Sequence, residues 1–252
     1  MTEISGRSEI GRAPSRSNIT ILEQKWPFPD TANVPLMEAP SKRVQVKRAA
    51  ERGNYDRATI EAILDEALIC HVGIVTDEGH PVVIPVIHAR DGNTLYMHGS
   101  PASRLLRTMK PGAEICLTAT LLDGIVVARS AFHHSMNYRS VVVIGTARIV
   151  DDPAEKLAAL ELVTDHVIPG RWAECRPVTE KEIKGTLVAA LSLGEASAKI
   201  RSGGPVDDDA DYELPIWAGV VPLELTPGAP IPDDRLLDGV RTPSDVAEYG
   251  RS

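Results

Sequence analysis

Cysteine is scarce in this sequence. The three present, Cys70, Cys116 and Cys175, lie far apart and form no CxxC pair. That excludes a disulfide framework and argues against a zinc site, so no metal is expected. Cys70 and Cys116 sit in apolar, strand-like runs and read as buried thiols. Long apolar runs are missing as well. None approaches the roughly 20 residues that a bilayer-spanning helix needs, and the opening MTEISGRSEIGRAPSRSNIT lacks the apolar core of a signal peptide. The reading is a cytoplasmic protein with no membrane partner. Basic charge is in deficit: 27 Lys and Arg against 35 Asp and Glu leave a net charge of -8. This disfavours a nucleic-acid partner held by a basic surface, but leaves room for a local basic pocket. No glycine-rich phosphate loop, no βαβ alternation, no internal repeat and no Ser-His-Asp triad is visible.

What is present is a series of short β-rich runs joined by turns. After an N-terminal arm at 1–44, rich in Ser, Pro, Arg and Glu and containing WPFPD at 26–30, a helix is expected from Asp56. Its apolar face is Ile60, Ile63, Leu64, Ala67 and Leu68. ICHVGIVT (69–76) and PVVIPVIHA (81–89) read as paired strands, and Pro85 marks an edge or a bulge. DGN at 91–93 is a hairpin turn leading to TLYMHG (94–99). A short helix is expected from Pro101 to about Met109. AEICLTATLL and GIVVARSAF read as a hairpin around Asp123-Gly124, and YRSVVVIGTARIV (138–150) as the longest strand. Asp152-Pro153-Ala154-Glu155 opens a helix to about His166, and Thr179 with Glu182 forms a second capping-box pattern. TLVAALSL (186–193) and WAGVVPLEL (217–225) follow. The class expected is mainly β with flanking helices, an antiparallel barrel over 45–225. A Pro- and Asp-rich tail, 226–252, wraps the surface or a partner.

Two polar clusters stand out. In HGSPASRLLRTMK (98–110), Ser100 and Pro101 suit a helix start, with Ser103 and Arg104 in the first turn. An arginine there is unfavourable against the helix dipole unless an anion is also present, so the stretch reads either as a routine cap or as a phosphate site. In FHHSMNYRSVVV, residues 132–143, Asn137, Tyr138, Arg139 and Ser140 put donors at the mouth of a core strand, as a polar turn or as the wall of a ligand site. His133 and His134 point to opposite faces if they lie on a strand, which weakens them as metal ligands. His88 and His98 flank the DGN turn and either pair across the hairpin or face a pocket.

The order HGSPASR, then LLDGIVVARSAFHHSMNYRSVVVIGTARIV, resembles the pyridoxamine 5′-phosphate oxidase-like superfamily, in its flavin-nucleotide-binding branch that includes the nitroimidazole-resistance (Nim) reductases. The resemblance spans about Arg43 to Leu225. It implies a split β-barrel homodimer with FMN at the subunit interface. Ser100, Ser103 and Arg104 would hold the FMN phosphate, assisted by Arg139 and Ser140. Pro85, Val86, Ile87 and His88 would lie along the isoalloxazine. His98 and Tyr138 would complete the wall, and Trp217 would approach the ring from the partner subunit unless it is a core or interface aromatic. His88 and His134 are the candidate proton donors. The activity implied is an FMN-dependent oxidoreductase, passing electrons from a nicotinamide donor to a small electrophile such as a nitroaromatic or quinone. The vitamin-B6 oxidases of the superfamily carry a C-terminal Trp/Arg segment that WAGVVPLEL does not match, which argues against that activity. The competing readings are a non-catalytic flavin- or haem-binding carrier, sensor or buffer, and a deazaflavin-dependent reductase.

Overall fold

The computed structural model describes residues 38–109 and 112–250. The expectations for residues 1–37, WPFPD included, lie outside the described residues. The barrel is built from β1 (Gly53–Asn54), β2 (Ile69–Val75), β3 (Pro81–Asp91), β4 (Thr94–Gly99), β5 (Glu114–Val127), β6 (Ser135–Thr146), β7 (Arg148–Ile149), β8 (Leu187–Ser192), β9 (Ala196–Arg201) and β10 (Gly219–Pro222). All strand pairings among the described residues are antiparallel, in the order β1-β9-β6-β5-β2-β3-β4-β8-β7, with β10 on β5. Only Ala147 separates β6 from β7. The sheet therefore curls back toward the strand it left without closing in one continuous ladder. This is a split barrel, as the sequence led us to expect.

Period-two alternation fills the interior. Cys70, Val72 and Ile74 of β2, Ile115, Leu117 and Ala119 of β5, and Val141 and Val143 of β6 are buried in one cluster. Their neighbours in sequence face out, as in any antiparallel sheet with one buried face. The same alternation corrects the reading of Cys116, which is exposed: it sits between inward-facing Ile115 and Leu117. Cys70 is buried, and loss of hydration pushes its thiol up to about 12. Helix α1 (Arg57–Glu66) lays Ile60, Ile63 and Leu64 on this cluster. Asp56 caps it, accepting from the Thr59 N–H at 2.8 Å. Helix α3 (Pro153–Val167), capped by Asp152, buries Ala159 and Val163 with Ala89, Tyr96, Val188 and Ala190 on the other side of β3, β4 and β8. The capping box at Thr179 and Glu182 is present in α5 (Glu180–Lys184); α4 covers Arg171–Glu174 and α6 Ser244–Ala247. No helix among the described residues is long and apolar enough to cross a membrane.

Four element readings need correction. Asp123-Gly124 is not a hairpin turn: β5 runs through it, and the ladder with β6 shifts by one residue between Leu122 and Gly124. A local turn signal loses to a partner strand that pairs on both sides of it, leaving a bulge. The helix after β4, α2, is only Arg104–Thr108, and its N-cap is Ser103 rather than Ser100. The final strand is four residues long and starts at Gly219. Finally, β9 has no apolar run to announce it, because Ala196, Ser197 and Ala198 are small enough to be buried without one.

One feature positions the site. Residues 81–87 of β3 pair with β2, whereas residues 88–91 pair with β4. The β3–β4 ladder ends at His88–Met97, and beyond it the two strands part. The second edge of β3 is left without a ladder partner over 81–87. Pro85, which has no N–H to donate, falls in that stretch, as an edge proline must.

Candidate functional site

The parting of β3 and β4 creates a cleft with α2 at its end. Three sequence-predicted groups converge on this split: Pro85, Val86 and Ile87 along the open edge of β3, His98 at the end of β4, and Ser100, Ser103 and Arg104 in the turn that starts α2. Beside them lies an open groove of about 730 Å³, lined by Thr76, Glu78, His80, Pro101, Arg104, Arg107, Ile149 and Leu187 among others.

The two serines are arranged as hydrogen-bond donors. The Ser100 hydroxyl oxygen accepts from the Ala102 N–H at 3.2 Å, and that of Ser103 from the Leu106 N–H at 3.3 Å. Each O–H proton remains available to an anion. Arg104 is exposed, and neither it nor Arg107 forms an ion pair among the described residues. α2 is a five-residue helix, so a phosphate here would be held by side chains more than by a helix dipole. Arg107 was not singled out in the sequence, although a basic residue three positions after Arg104 is a helix-spacing signal for a shared face.

His98 supplies a test of whether a polar group fits this split. Its Nδ1 is buried and has no hydrogen-bond partner among the described residues. Burial holds the imidazole below its ordinary pKa of 6.5. Such a nitrogen is costly unless it is satisfied, and a polar ligand edge at the end of β4 would satisfy it. The sign of the pH effect follows. The unfolded chain protonates this histidine at higher pH than the folded one does, so its contribution to stability is fully present above about 6.5 and is lost as pH falls through the depressed folded value. Urea denaturation at descending pH below that point should show a steeper stability loss in the wild type than in His98→Gln. Parallel slopes would mean the buried nitrogen is already satisfied.

His88 sits elsewhere. It is fully buried and opposite Met97, not opposite His98. Its Nε2 donates to the Leu64 carbonyl at 3.0 Å, and its ring lies 5.2 Å from that of His166. The geometry fits it to anchoring α1 against β3.

The second polar cluster occupies the other end of the β6–β7 path. Arg139 donates from Nε and Nη2 to Asp123, at 3.1 and 2.9 Å, and from Nη2 to Glu66 at 2.8 Å; its Nη1 also meets Glu66. The Glu66 hydrogen bond, then Asp123, keep the guanidinium charged despite its burial. This group borders a separate groove of about 650 Å³ with Leu68, Leu121, Leu223 and Leu225. Tyr138 and Ser140 alternate with Arg139 onto the opposite face, where Ser140 donates to the Lys199 carbonyl at 3.1 Å. Within one chain, then, Arg104 and Arg139 line different grooves. His134 is exposed at the β5–β6 turn, with Nδ1 donating to the Ser130 carbonyl at 3.0 Å, which leaves Nε2 as the acceptor. Trp217 precedes β10 and is 66% exposed. A Cβ on Gly219 would come within 2.9 Å of its indole, so the ring is folded back over that glycine. No group of three or more His, Cys, Asp or Glu able to hold a metal ion occurs among the described residues.

The family model described as pyridoxamine 5′-phosphate oxidase matches residues 56–200, which is the split barrel from the cap of α1 to β9. The chain belongs to the pyridoxamine 5′-phosphate oxidase family. Within solved structures of this fold it is similar to the flavocytochrome Anf3 from Azotobacter vinelandii, with 44% identity over 86% of this chain and 100% of that one and a TM-score of 0.81. It is also similar to the FAD and haem binding protein from Mycobacterium smegmatis, with 39% identity over 78% of this chain and 96% of that one and a TM-score of 0.74. A candidate 5-nitroimidazole antibiotic resistance protein from Bacteroides thetaiotaomicron shares the fold, at 23% identity over 59% of this chain and 86% of that one and a TM-score of 0.50. No curated protein matches the chain.

Proposed function

We propose that this protein is a flavin-dependent oxidoreductase of flavocytochrome type, a homodimer that binds a flavin nucleotide at the β3–β4 split and haem nearby. The observation that carries the flavin half is the convergence on one split of a free strand edge, a buried unsatisfied ring nitrogen on His98, and the donors Ser100, Ser103 and Arg104. The phosphate nearest the flavin ring is common to FMN and FAD, so these donors fit either; FMN is the minimal ligand they require, and the Mycobacterium smegmatis relative favours FAD. The two relatives named for haem are the reason for adding that group. The homodimer is supported by the division of donors: the Tyr138–Ser140 face and Trp217 lie away from their own chain's split and reach a flavin only from another copy.

In this reading the bound flavin supplies the electron or hydride transfer. Ser100, Ser103, Arg104 and Arg107 anchor its phosphate. The edge of β3 from Pro85 to Ile87 offers backbone groups to the polar margin of the ring. His88 holds α1 and β3 in register beneath it, and His134, with Nε2 outward, is the group placed to exchange a proton with substrate. The donor is a nicotinamide nucleotide and the acceptor a small electrophile, a nitroaromatic or a quinone.

The test is the absorption spectrum of the purified protein, followed by anaerobic addition of NADPH and of NADH, with the released flavin identified by chromatography. Flavin bands that bleach, together with a Soret band, are the expected result. Flavin bands that persist with both donors would replace the reductase by a carrier. A protein that is colourless and takes up neither FMN nor FAD would overturn the reading.

A further inference from the structure

A surface turn joins β5 to β6 over residues 128–134, and a buried carboxylate holds it. Asp207, in the segment that follows β9, has a fully buried side chain. Its carboxylate accepts from the Arg129 N–H at 3.0 and 3.2 Å, from the Ser130 N–H at 3.3 Å and from Arg129 Nη1 at 3.1 Å. Arg129 in turn lies over the Tyr212 ring, 4.8 Å from its centroid, and the Tyr212 hydroxyl oxygen accepts from the Asp207 N–H at 3.4 Å. The other flank of the turn is fixed by Asn137 of β6. It is fully buried, donates to the Gly203 carbonyl at 3.0 Å and accepts from Arg201 Nη1. A carboxylate that is buried and paired in this way ties together the segments that supply its partners. Nothing in the sequence separates Asp207 from Asp208 and Asp209 beside it; only its burial does.

Ser130 passes that restraint along the turn. Its hydroxyl oxygen accepts from the Phe132 N–H at 3.2 Å. Its carbonyl accepts from the His133 N–H at 3.1 Å and from His134 Nδ1 at 3.0 Å. Asp207 therefore fixes Ser130, and Ser130 fixes the residues that follow it. Two of those residues face solvent: Phe132 is 90% exposed, and His134 is exposed too. A phenylalanine at that exposure adds nothing to this chain's core, and turn chemistry calls for Gly, Pro, Asn, Asp or Ser in its place. His133 meets the ring edge-on, with centroids 5.3 Å apart. Phe132 thus stands among side chains that carry hydrogen-bonding groups, Ser130, His133 and His134. Small-molecule sites combine an aromatic wall with a few fixed polar groups in this way.

We propose that this turn binds the electron acceptor, with Phe132 as the surface on which a flat aromatic electrophile stacks and Asp207 as the positioning residue that holds the turn. The assignment rests on the oxidoreductase function proposed above and adds the residues. Quinones and nitroaromatics are flat rings that carry oxygens. An exposed ring suits the first property. His134, two positions along, suits the second: Nδ1 is tied to Ser130, so Nε2 is the nitrogen left to meet those oxygens when it carries a proton. The clamp has a purpose in this reading. A turn whose freedom is already lost on folding has less to lose when a ligand arrives. The ladder also places the turn. β10 pairs with β5 as far as Gly219 and Val127, which puts Trp217 beside the start of the same turn. In the homodimer proposed above Trp217 reaches another copy's flavin, and the turn goes with it.

The experiment compares wild type, Phe132→Ala, Phe132→Trp, Asp207→Ala and Asp207→Asn, each purified with its flavin. Binding of menadione and of nitrofurazone to the oxidised proteins is measured by calorimetry, and kcat and KM by turnover with each compound. Flavin per chain and molar mass are recorded, and the His134 tautomer is read from its ring-nitrogen shifts at a pH where the ring is neutral. Wild type should bind both compounds and show one His134 tautomer, with the proton on Nδ1. Phe132→Ala should weaken binding and raise KM by roughly threefold to tenfold, the scale of one aromatic pair, at unchanged flavin content and mass. Phe132→Trp should restore both. Asp207→Ala should weaken binding as much and mix the two tautomers, which a merely structural aspartate would leave alone. Asp207→Asn keeps an oxygen for the two backbone N–H groups; it should fall between, and it carries the test if the alanine variant does not fold. Wild-type affinity in Phe132→Ala, or a wild type that binds neither compound, would overturn the assignment. So would a loss of dimer mass in Phe132→Ala, which would show that a second copy covers the ring. Wild-type affinity and a single tautomer in both Asp207 variants would overturn the positioning role. A wild type that binds both compounds through Phe132 but never passes electrons to them would end the reductase reading and leave the binding turn standing.

Discussion

Arg139→Met is expected to destabilise the fold by about 3–5 kcal/mol, because it strands a buried carboxylate. Asp123 is 7% exposed and receives three of the Arg139 hydrogen bonds. Without the guanidinium, the bulge in β5 would contain a charge with no partner and little water. Methionine keeps most of the aliphatic stem, so packing loss adds little. The measurement is urea denaturation of the wild type and the variant, with Arg139→Met/Asp123→Asn as the control. Removing both charges should recover much of the loss, since replacing both members of a buried pair costs far less than orphaning one. The same proteins separate two roles for Arg139. If it serves only its own chain's fold, the fraction that remains folded will bind flavin with wild-type affinity. If Arg139 reaches a flavin phosphate across a dimer, affinity will fall as well, and the double variant will not restore it.

Arg104→Ala should act in the opposite way, weakening flavin binding by about 1.5–3 kcal/mol, the scale of a hydrogen bond to a charged group. That is a roughly tenfold to 150-fold rise in dissociation constant. Arg104 is exposed and pairs with no carboxylate among the described residues, so the denaturation midpoint of the flavin-free protein should not move. Titration of flavin-free protein with FMN, and separately with FAD, measures the effect. Raised ionic strength should weaken wild-type binding and shrink the gap between the two proteins, since the lost contact is an exposed charge pair. Equal affinities at low salt would remove the phosphate role from this turn.

The parts of the fold that could be read from the chain were those set by local chemistry. Asp56, the Asp152-Pro153-Glu155 run, and Thr179 with Glu182 all cap helices as their spacing implies, because a cap is satisfied within four residues of itself. The misreadings came where a distant partner decides. Asp123-Gly124 carries the local signature of a turn, yet β6 pairs across both of its flanks. β9 was invisible because residues as small as Ala196 and Ala198 are buried by their neighbours' bulk, not by their own hydrophobicity. At the site, alternation alone separates Tyr138 and Ser140 from Arg139. What alternation cannot give is the length of β6, which carries these residues to the opposite end of the barrel from Arg104. The motifs HGSPASR and NYRSVVV are close in the logic of the family and apart in a single chain, and only the ladder makes that visible.

Pro85 has a consequence beyond marking where β3 and β4 part. A strand edge with free N–H and C=O groups is a template on which any other extended chain can grow. Residues 81–87 would be such a template, flanked by exposed Val83 and Ile87. The proline interrupts the row of donors midway, so an incoming strand cannot zip along the whole edge. The opening that leaves room for a ligand is thus protected from aggregation by the chain itself, before any ligand arrives.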